Sequence, residues 1–348
     1  MTDAATMPIF DGHNDVLLRL FRAGDLDAKG FFERGGAGHV DLPRMLEGGF
    51  AAGFFAVFVP SPKRDAERPS PEPGEPPLGF EEALPAALAM ASILFAIERR
   101  SEGVVKIVRD VADIRGCMGG GRIAAILHME GAEAVDPELR NLDLLHAAGL
   151  RSLGPVWSRR NAFGTGVPFD FPGSPDIGAG LTEAGRALVA ACNERGILLD
   201  LSHLNEKGFW DVAHLSIAPL VATHSNVHAL TPAPRNLTDA QLDAVRASGG
   251  VVGLNYGTCF LRDDGRMNAD TPLAAMLHHL DHMLRHLGED GVALGSDFDG
   301  AVVPAEIGDA SGNQRFVAAM RAHGYGEPLI EKICWRNWLS VLERTWRT

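Results

Sequence analysis

Residues 182–203 read TEAGRALVAACNERGILLDLSH, and this stretch holds a complete helix-to-strand unit. Residues Thr182 to Arg195 read as a helix. Leu188, Val189 and Cys192 share one helical face, and Gly196 supplies the stop. Ile197–Leu201 then reads as a short apolar strand. It ends at His203, so a metal-ligating side chain falls just past a strand's C-terminal end.

The same unit repeats in both directions. Towards the C-terminus, Ala218–Ala222 is a strand, and Thr238-x-x-Gln241 is a capping box opening a helix that stops at Gly249-Gly250. Val251–Leu254 follows as a strand. Thr271-Pro272 predicts an N-cap with proline at the first helical position. Leu273, Met276, Leu277, Leu280, Leu284 and Leu287 then mark a 3.6-residue stripe, and Gly291–Gly295 is the next strand. Towards the N-terminus, Gly149–Leu153, Ile123–Leu127, Ala52–Phe58 and Pro8–Phe10 complete eight strands. Strands alternating with helices mean a parallel sheet. Eight of them predict an α/β fold closed into a (β/α)8 TIM-type barrel, one domain over residues 1–348. No G-x-G-x-x-G or G-x-x-x-x-G-K-[ST] follows any strand, which removes the usual nucleotide-binding readings.

Composition narrows the class further. A net charge of −13 disfavours nucleic acid or an anionic membrane as partner. Cys117, Cys192, Cys259 and Cys334 form no C-x-x-C pair, so a cysteine zinc site is not expected and a reducing compartment is. No run of 18 uncharged apolar residues and no basic, apolar leader occur, so no membrane span is expected and a cytoplasmic setting is. Pro60–Pro85 carries eight prolines and many charges. It predicts a long loop after the second strand, on the active-site face of a barrel.

Residues at the C-terminal ends of barrel strands converge on one mouth. Five strand ends here carry metal-ligand types: His13-x-Asp15, Glu130, His203, His224 and Asp297. Side chains two apart on a strand share a face, so His13 and Asp15 can grip one ion. Glu130 has two oxygens and can serve two cations. Each residue alone is more often structural, but buried carboxylates need a partner or a metal, and His plus carboxylate is what hydrolytic zinc uses. His128 lies deeper on the Glu130 strand and reads as supporting. His278, His282 and His286 lie off the leucine stripe and read as a solvated face.

Taken together, Asp11-Gly-His-Asn-Asp15, Met129-Glu130-Gly131, Asp200-Leu-Ser-His203, Thr223-His-Ser-Asn226, Pro234-Arg-Asn236 and Gly295-Ser-Asp297-Phe-Asp-Gly300 resemble the renal, or membrane, dipeptidase family of binuclear zinc peptidases. The resemblance spans nearly the whole chain, with Glu331–Leu339 similar to that family's closing helix. It implies two Zn2+ per subunit, one on His13 and Asp15, the other on His203 and His224, with Glu130 shared. It implies Asp297 as the proton-transferring acid/base and Arg235 as the holder of a dipeptide's free carboxylate. It also implies homodimers and tolerance of a D-residue at the C-terminal position. One departure stands out: where mammalian members carry a substrate-facing histidine, this chain reads Gly154-Pro-Val-Trp157-Ser-Arg159. Trp157 falls near that place, and Trp157 and Tyr256 are candidate substrate-wall residues.

Two cations roughly 3.5–4 Å apart lower the pKa of a water between them, which suits amide hydrolysis. Other metal-dependent amidohydrolases, acting on N-acyl amino acids or lactones, remain open, as does a catalytically silent metal-binding barrel. Many amidohydrolases bridge their metals with a modified lysine. None of Lys29, Lys63, Lys106, Lys207 and Lys332 falls at an expected strand end, which keeps Glu130 as the bridge.

Overall fold

The computed structural model describes residues 6–61 and 78–346. Among the described residues, nine strands occur in chain order: β1 (Ile9–Asn14), β2 (Phe50–Phe58), β3 (Val105–Ile107), β4 (Ile123–Glu130), β5 (Leu150–Gly154), β6 (Leu198–Leu199), β7 (Val221–Ala222), β8 (Val251–Asn255) and β9 (Val292–Gly295). All pair in parallel, in the order β6-β5-β4-β2-β1-β9-β8-β7. The two ends of that order meet: Asp200 and Val221 form a parallel bridge, and the Leu201 N–H donates to the Val221 carbonyl at 2.9 Å. The result is the expected (β/α)8 barrel.

The pleat divides each strand between two cores. Phe10, Ala52, Phe54, Ala124, Ile126, Leu198, Val251 and Ala293 point inward and pack with Trp338. Their neighbours Ile9, Phe55, Val57, Ile123, Leu127, Val252 and Leu294 point outward beneath the helices. The interior is plugged from its N-terminal end by the closing helix Asn337–Trp346, which follows a π-helical turn at Lys332–Arg336. The Trp338 indole donates to the Leu294 carbonyl at 3.0 Å. A Cβ on Gly12 would lie 2.6 Å from its ring, so β1 needs glycine there.

Three sequence expectations change. The strand β3 was not foreseen, because three residues are too few to show a period; it pairs with the start of β4, below where β5 takes over. The predicted loop 60–85 lies mostly outside the described residues, and its last part is helical. The helix Phe80–Arg100 begins before Pro85, which lies inside its second turn and donates no backbone hydrogen bond there. That helix is long and apolar enough by composition to cross a membrane, with mean hydropathy 1.6, but it buries Ala83, Ala87, Met90, Ile93, Leu94 and Ile97 in the outer core. Finally, the helix Leu273–Leu287 takes Pro272, not Thr271, as N-cap, because the Thr271 hydroxyl donates to the Asn268 carbonyl instead.

Candidate active site

The barrel brings His13, Asp15, Glu130, His203, His224 and Asp297 together at the C-terminal ends of its strands, all buried. His13 Nε2 lies 3.3 Å from Asp15 Oδ2 and 3.7 Å from Glu130 Oε2. The other oxygen of Glu130, Oε1, lies 2.7 Å from His203 Nε2 and 3.5 Å from His224 Nε2. The two Nε2 atoms of His203 and His224 are 3.1 Å apart. Two ligand groups result, His13–Asp15–Glu130 and Glu130–His203–His224, and Glu130 belongs to both.

These spacings fit metal ions. Zinc bonds of about 2.0–2.1 Å place adjacent tetrahedral ligand atoms about 3.3 Å apart, the middle of the observed range. The tautomers fit as well. Thr223 Oγ1 donates to Asp200 Oδ2 at 2.6 Å, so its lone pair faces His224 Nδ1 at 2.8 Å. His224 therefore carries its proton on Nδ1 and presents a bare Nε2. Ser158 Oγ lies 2.8 Å from His203 Nδ1. Asp15 Oδ1 and His13 Nδ1 are buried without a hydrogen-bond partner among the described residues.

Electrostatics describe a pocket that demands positive charge. Burial, then Arg235 and His13, hold His203 well below the usual imidazole range, and burial, then His13 and Arg235, do the same for His224. Both are neutral lone-pair donors. Burial pushes Glu130 far up, with Asp15 and Asp297 adding to the effect and His13 opposing it. Burial alone would lower His13, yet Glu130 and then Asp15 drive it up to about 10. With protein groups alone, His13 has to serve as the counter-cation. A bound cation would take over that role.

Asp297 adopts a left-handed backbone, φ +57°, as does Asp299 at +68°. Non-glycine residues avoid this region, so something must hold them there. The Asp297 N–H donates to the His13 carbonyl at 3.0 Å, and Asn255 Nδ2 donates to Asp297 Oδ2 at 2.9 Å. Asp299 accepts from Arg19 Nε at 2.9 Å and from the His39 N–H at 2.5 Å. A Cβ on Gly300 would collide with Asp15 Oδ2 and Asp297 Oδ1, so the turn must come this close. Burial raises the Asp297 carboxyl, with Asp15 adding to the effect and His13 opposing it.

A cavity of about 320 Å3 opens over this floor, within the range for a small ligand. Glu130, His203, Asp15 and Asp297 line it together with Arg235, Trp157, Phe58, Phe169 and Phe260. The Trp157 ring lies 4.8 Å from Phe58, 5.4 Å from Phe169 and 5.9 Å from His203. Arg159 stacks behind it at 5.3 Å and is anchored on Glu133 at 2.8 Å and on the Val59 carbonyl at 2.7 Å. Arg235 is buried, stacks 5.4 Å from Phe260, and donates to the carbonyls of Ser202 and His224; its Nε has no partner among the described residues. Tyr256 is placed elsewhere. Its ring packs edge-on against Phe298 and Phe316 in the outer core and does not line the cavity, because Asn255 before it points to Asp297 in the mouth and the alternation along the chain turns the next side chain the other way.

The sequence did not point to Phe58, Phe169 and Phe260, nor to the support given by Asn255, Thr223, Ser158 and Arg19. The hydroxyls of Ser158 and Thr223 lie beside ligand or wall residues in sequence and were within reach of inspection. Phe169 lies in an irregular segment that offers no period to read.

The profile of the membrane dipeptidase family, peptidase family M19, matches residues 4–347. The chain is 56% identical to a crystal structure described as dipeptidase AC, a metallopeptidase of family M19, covering 99% of this chain and 100% of that one with a TM-score of 0.95. It is 57% identical to a metallopeptidase of Rhodobacter sphaeroides liganded with a phosphinate mimic of the dipeptide L-Ala-D-Ala, covering 98% and 100% with a TM-score of 0.95. A protein of the pqqA 5′ region of Klebsiella pneumoniae is 50% identical over 256 residues, 74% of this chain and 94% of that one. With the barrel, the ligand cluster and these relatives in agreement, the chain belongs to the membrane dipeptidase family, peptidase family M19, and is a hydrolase of the peptidase class.

Proposed function

We propose that this protein is a binuclear zinc dipeptidase that cleaves the one peptide bond of a free dipeptide and accepts a D-residue at its C-terminal position. The observation that carries the proposal is Glu130, which sends one oxygen to the His13–Asp15 side and the other to the His203–His224 side. His13, Asp15, Glu130, His203 and His224 are the ligands in this proposal. Bound there, two divalent cations would supply Lewis acidity for the scissile carbonyl and an acidified water.

The chain's own residues do the rest. Asp297, held by Asn255 and the His13 carbonyl, faces the same floor and moves a proton from the attacking water to the departing amine. Arg235 offers Nε and one edge of its fixed guanidinium to the substrate's terminal carboxylate, which restricts the site to short peptides. Trp157, Phe58 and Phe169 wall the cavity beside His203 and exclude water from the reacting bond. The phosphinate mimic of L-Ala-D-Ala on the Rhodobacter sphaeroides relative supports the substrate class. The proposal includes a homodimer in the cytoplasm acting without a membrane, which sedimentation and cell fractionation check.

The test pairs metal analysis with turnover. Zinc-loaded protein is expected to hold two Zn2+ in the barrel and to hydrolyse L-Ala-D-Ala, leaving N-acetyl amino acids untouched. Preference for the N-acetyl substrates would move the protein to another amidohydrolase class.

A further inference from the structure

On the outer wall of the barrel, away from the mouth, two neighbouring helices bring together a second set of ligand-type side chains. His282 and His286 lie one turn apart on the helix Leu273–Leu287, with rings stacked at 4.8 Å and 13°. Asp239 opens the adjacent helix Asp239–Ala247. His282 Nε2 lies 2.7 Å from Asp239 Oδ1, and His286 Nε2 lies 3.7 Å from Asp239 Oδ2. One atom from each of the three residues falls within 4.8 Å of the others.

The geometry distinguishes this from a single surface ion pair. His286 Nδ1 lies 2.9 Å from Asp243 Oδ1, and an ionised carboxylate only accepts, so the proton sits on Nδ1. On the other side of the ring, His286 Nε2 faces the second oxygen of Asp239 at 3.7 Å. That separation is too long for a hydrogen bond and close to the spacing of two ligand atoms on one zinc ion, about 3.3 Å. A carboxylate orienting the far nitrogen of a histidine is also the usual support of a metal-binding imidazole. Arg285 contacts His282 Nδ1 at 3.3 Å, but it is exposed and free to withdraw.

We infer that His282, His286 and Asp239 form a third, peripheral site for a borderline divalent cation such as Zn2+ or Ni2+, oriented by Asp243. Imidazole donors select these ions over Mg2+ or Ca2+. Binding would staple the two helices together and stabilise the barrel wall without entering the reaction, so the inference is independent of the proposed function.

The experiment is equilibrium dialysis of zinc-loaded protein against Zn2+, with wild type beside the double variant His282→Ala, His286→Ala and beside Asp243→Asn. Wild type is expected to hold one more equivalent than the double variant, both hydrolysing dipeptide at rates within twofold of each other. Asp243→Asn is expected to keep the site with affinity weakened about tenfold. Added Zn2+ is expected to raise the melting temperature of wild type further than that of the double variant. Equal zinc content and equal melting shifts in wild type and a folded double variant, checked by circular dichroism, would overturn the inference. Those results would leave His282 and His286 as side-chain partners of Asp239 and Asp243 and nothing more.

Discussion

Thr223 decides which nitrogen of His224 is free to bind. Its hydroxyl gives its proton to Asp200 and turns its lone pair to His224 Nδ1. Thr223→Val keeps the shape and removes that acceptor, so metal affinity is expected to fall about 10–100-fold in a chelator competition, with the fold intact. Asp297 makes a different prediction. Asp297→Asn keeps the size and the contact region of Asn255 but cannot carry a proton, so kcat is expected to drop about 10²–10⁴-fold with two metals still bound. Zinc content and kcat measured on the same preparation separate the two variants. Retention of wild-type turnover by Asp297→Asn would remove it from the acid/base role. At this scale the sequence showed the candidate ligands, which the fold brings together, since His, Asp and Glu at strand ends are rare enough to notice. It did not show the hydroxyls and amides that set tautomers, because Ser, Thr and Asn occur everywhere.

Two elements carry their own tests. The closing helix fills the bottom of the barrel with Trp338, fully buried between Phe10 and Phe54 and bonded to the Leu294 carbonyl. Trp338→Ala is expected to cost about 3–5 kcal/mol in denaturant unfolding, because rigid strands around a large void relax little. On the helix Leu273–Leu287, His279 is buried, accepts from the Val227 N–H at 3.2 Å on Nδ1 and faces the Leu261 carbonyl at 3.2 Å with Nε2. That arrangement requires the neutral ring, and burial lowers its pKa to about 4. The unfolded chain binds the proton more readily, so this residue's contribution is complete above about pH 6.5 and is lost as pH falls towards 4, by about 3 kcal/mol. His279→Gln is expected to flatten that part of the stability curve, as urea titrations at pH 7 and pH 4.5 would show. An equal slope in both proteins would mean that other groups dominate. The sequence presented this helix as a leucine stripe with a polar back; that His279, outside the series His278, His282 and His286, lies inside was not visible, because a ring's burial depends on what packs over it.

Across the molecule, the metal site concentrates buried carboxylates whose charge the protein alone does not balance: Asp15, Glu130 and Asp297 lie around His13. Chelation is therefore expected to abolish hydrolysis and to lower the melting temperature by on the order of 5 °C, since loss of a ligand held at a thousand times its Kd removes about 4 kcal/mol. Zinc should restore both. Loss of activity with no thermal shift would place the essential metals outside this cluster.

What the sequence determined by itself was the set of repeating units, the parallel barrel they build and the candidate ligand residues at its strand ends. Local propensity, a hydrophobic period and a strand-end position are all properties of neighbours along the chain. The tertiary structure alone decided that Glu130 faces both ligand groups, that Asp297 is held left-handed over them, that Trp157 stands beside His203 while Tyr256 is packed away, and that two histidines on an outer helix meet an aspartate on the next. Each of these depends on distances between segments far apart in the chain. Only closure of the barrel and the packing of its helices set those distances.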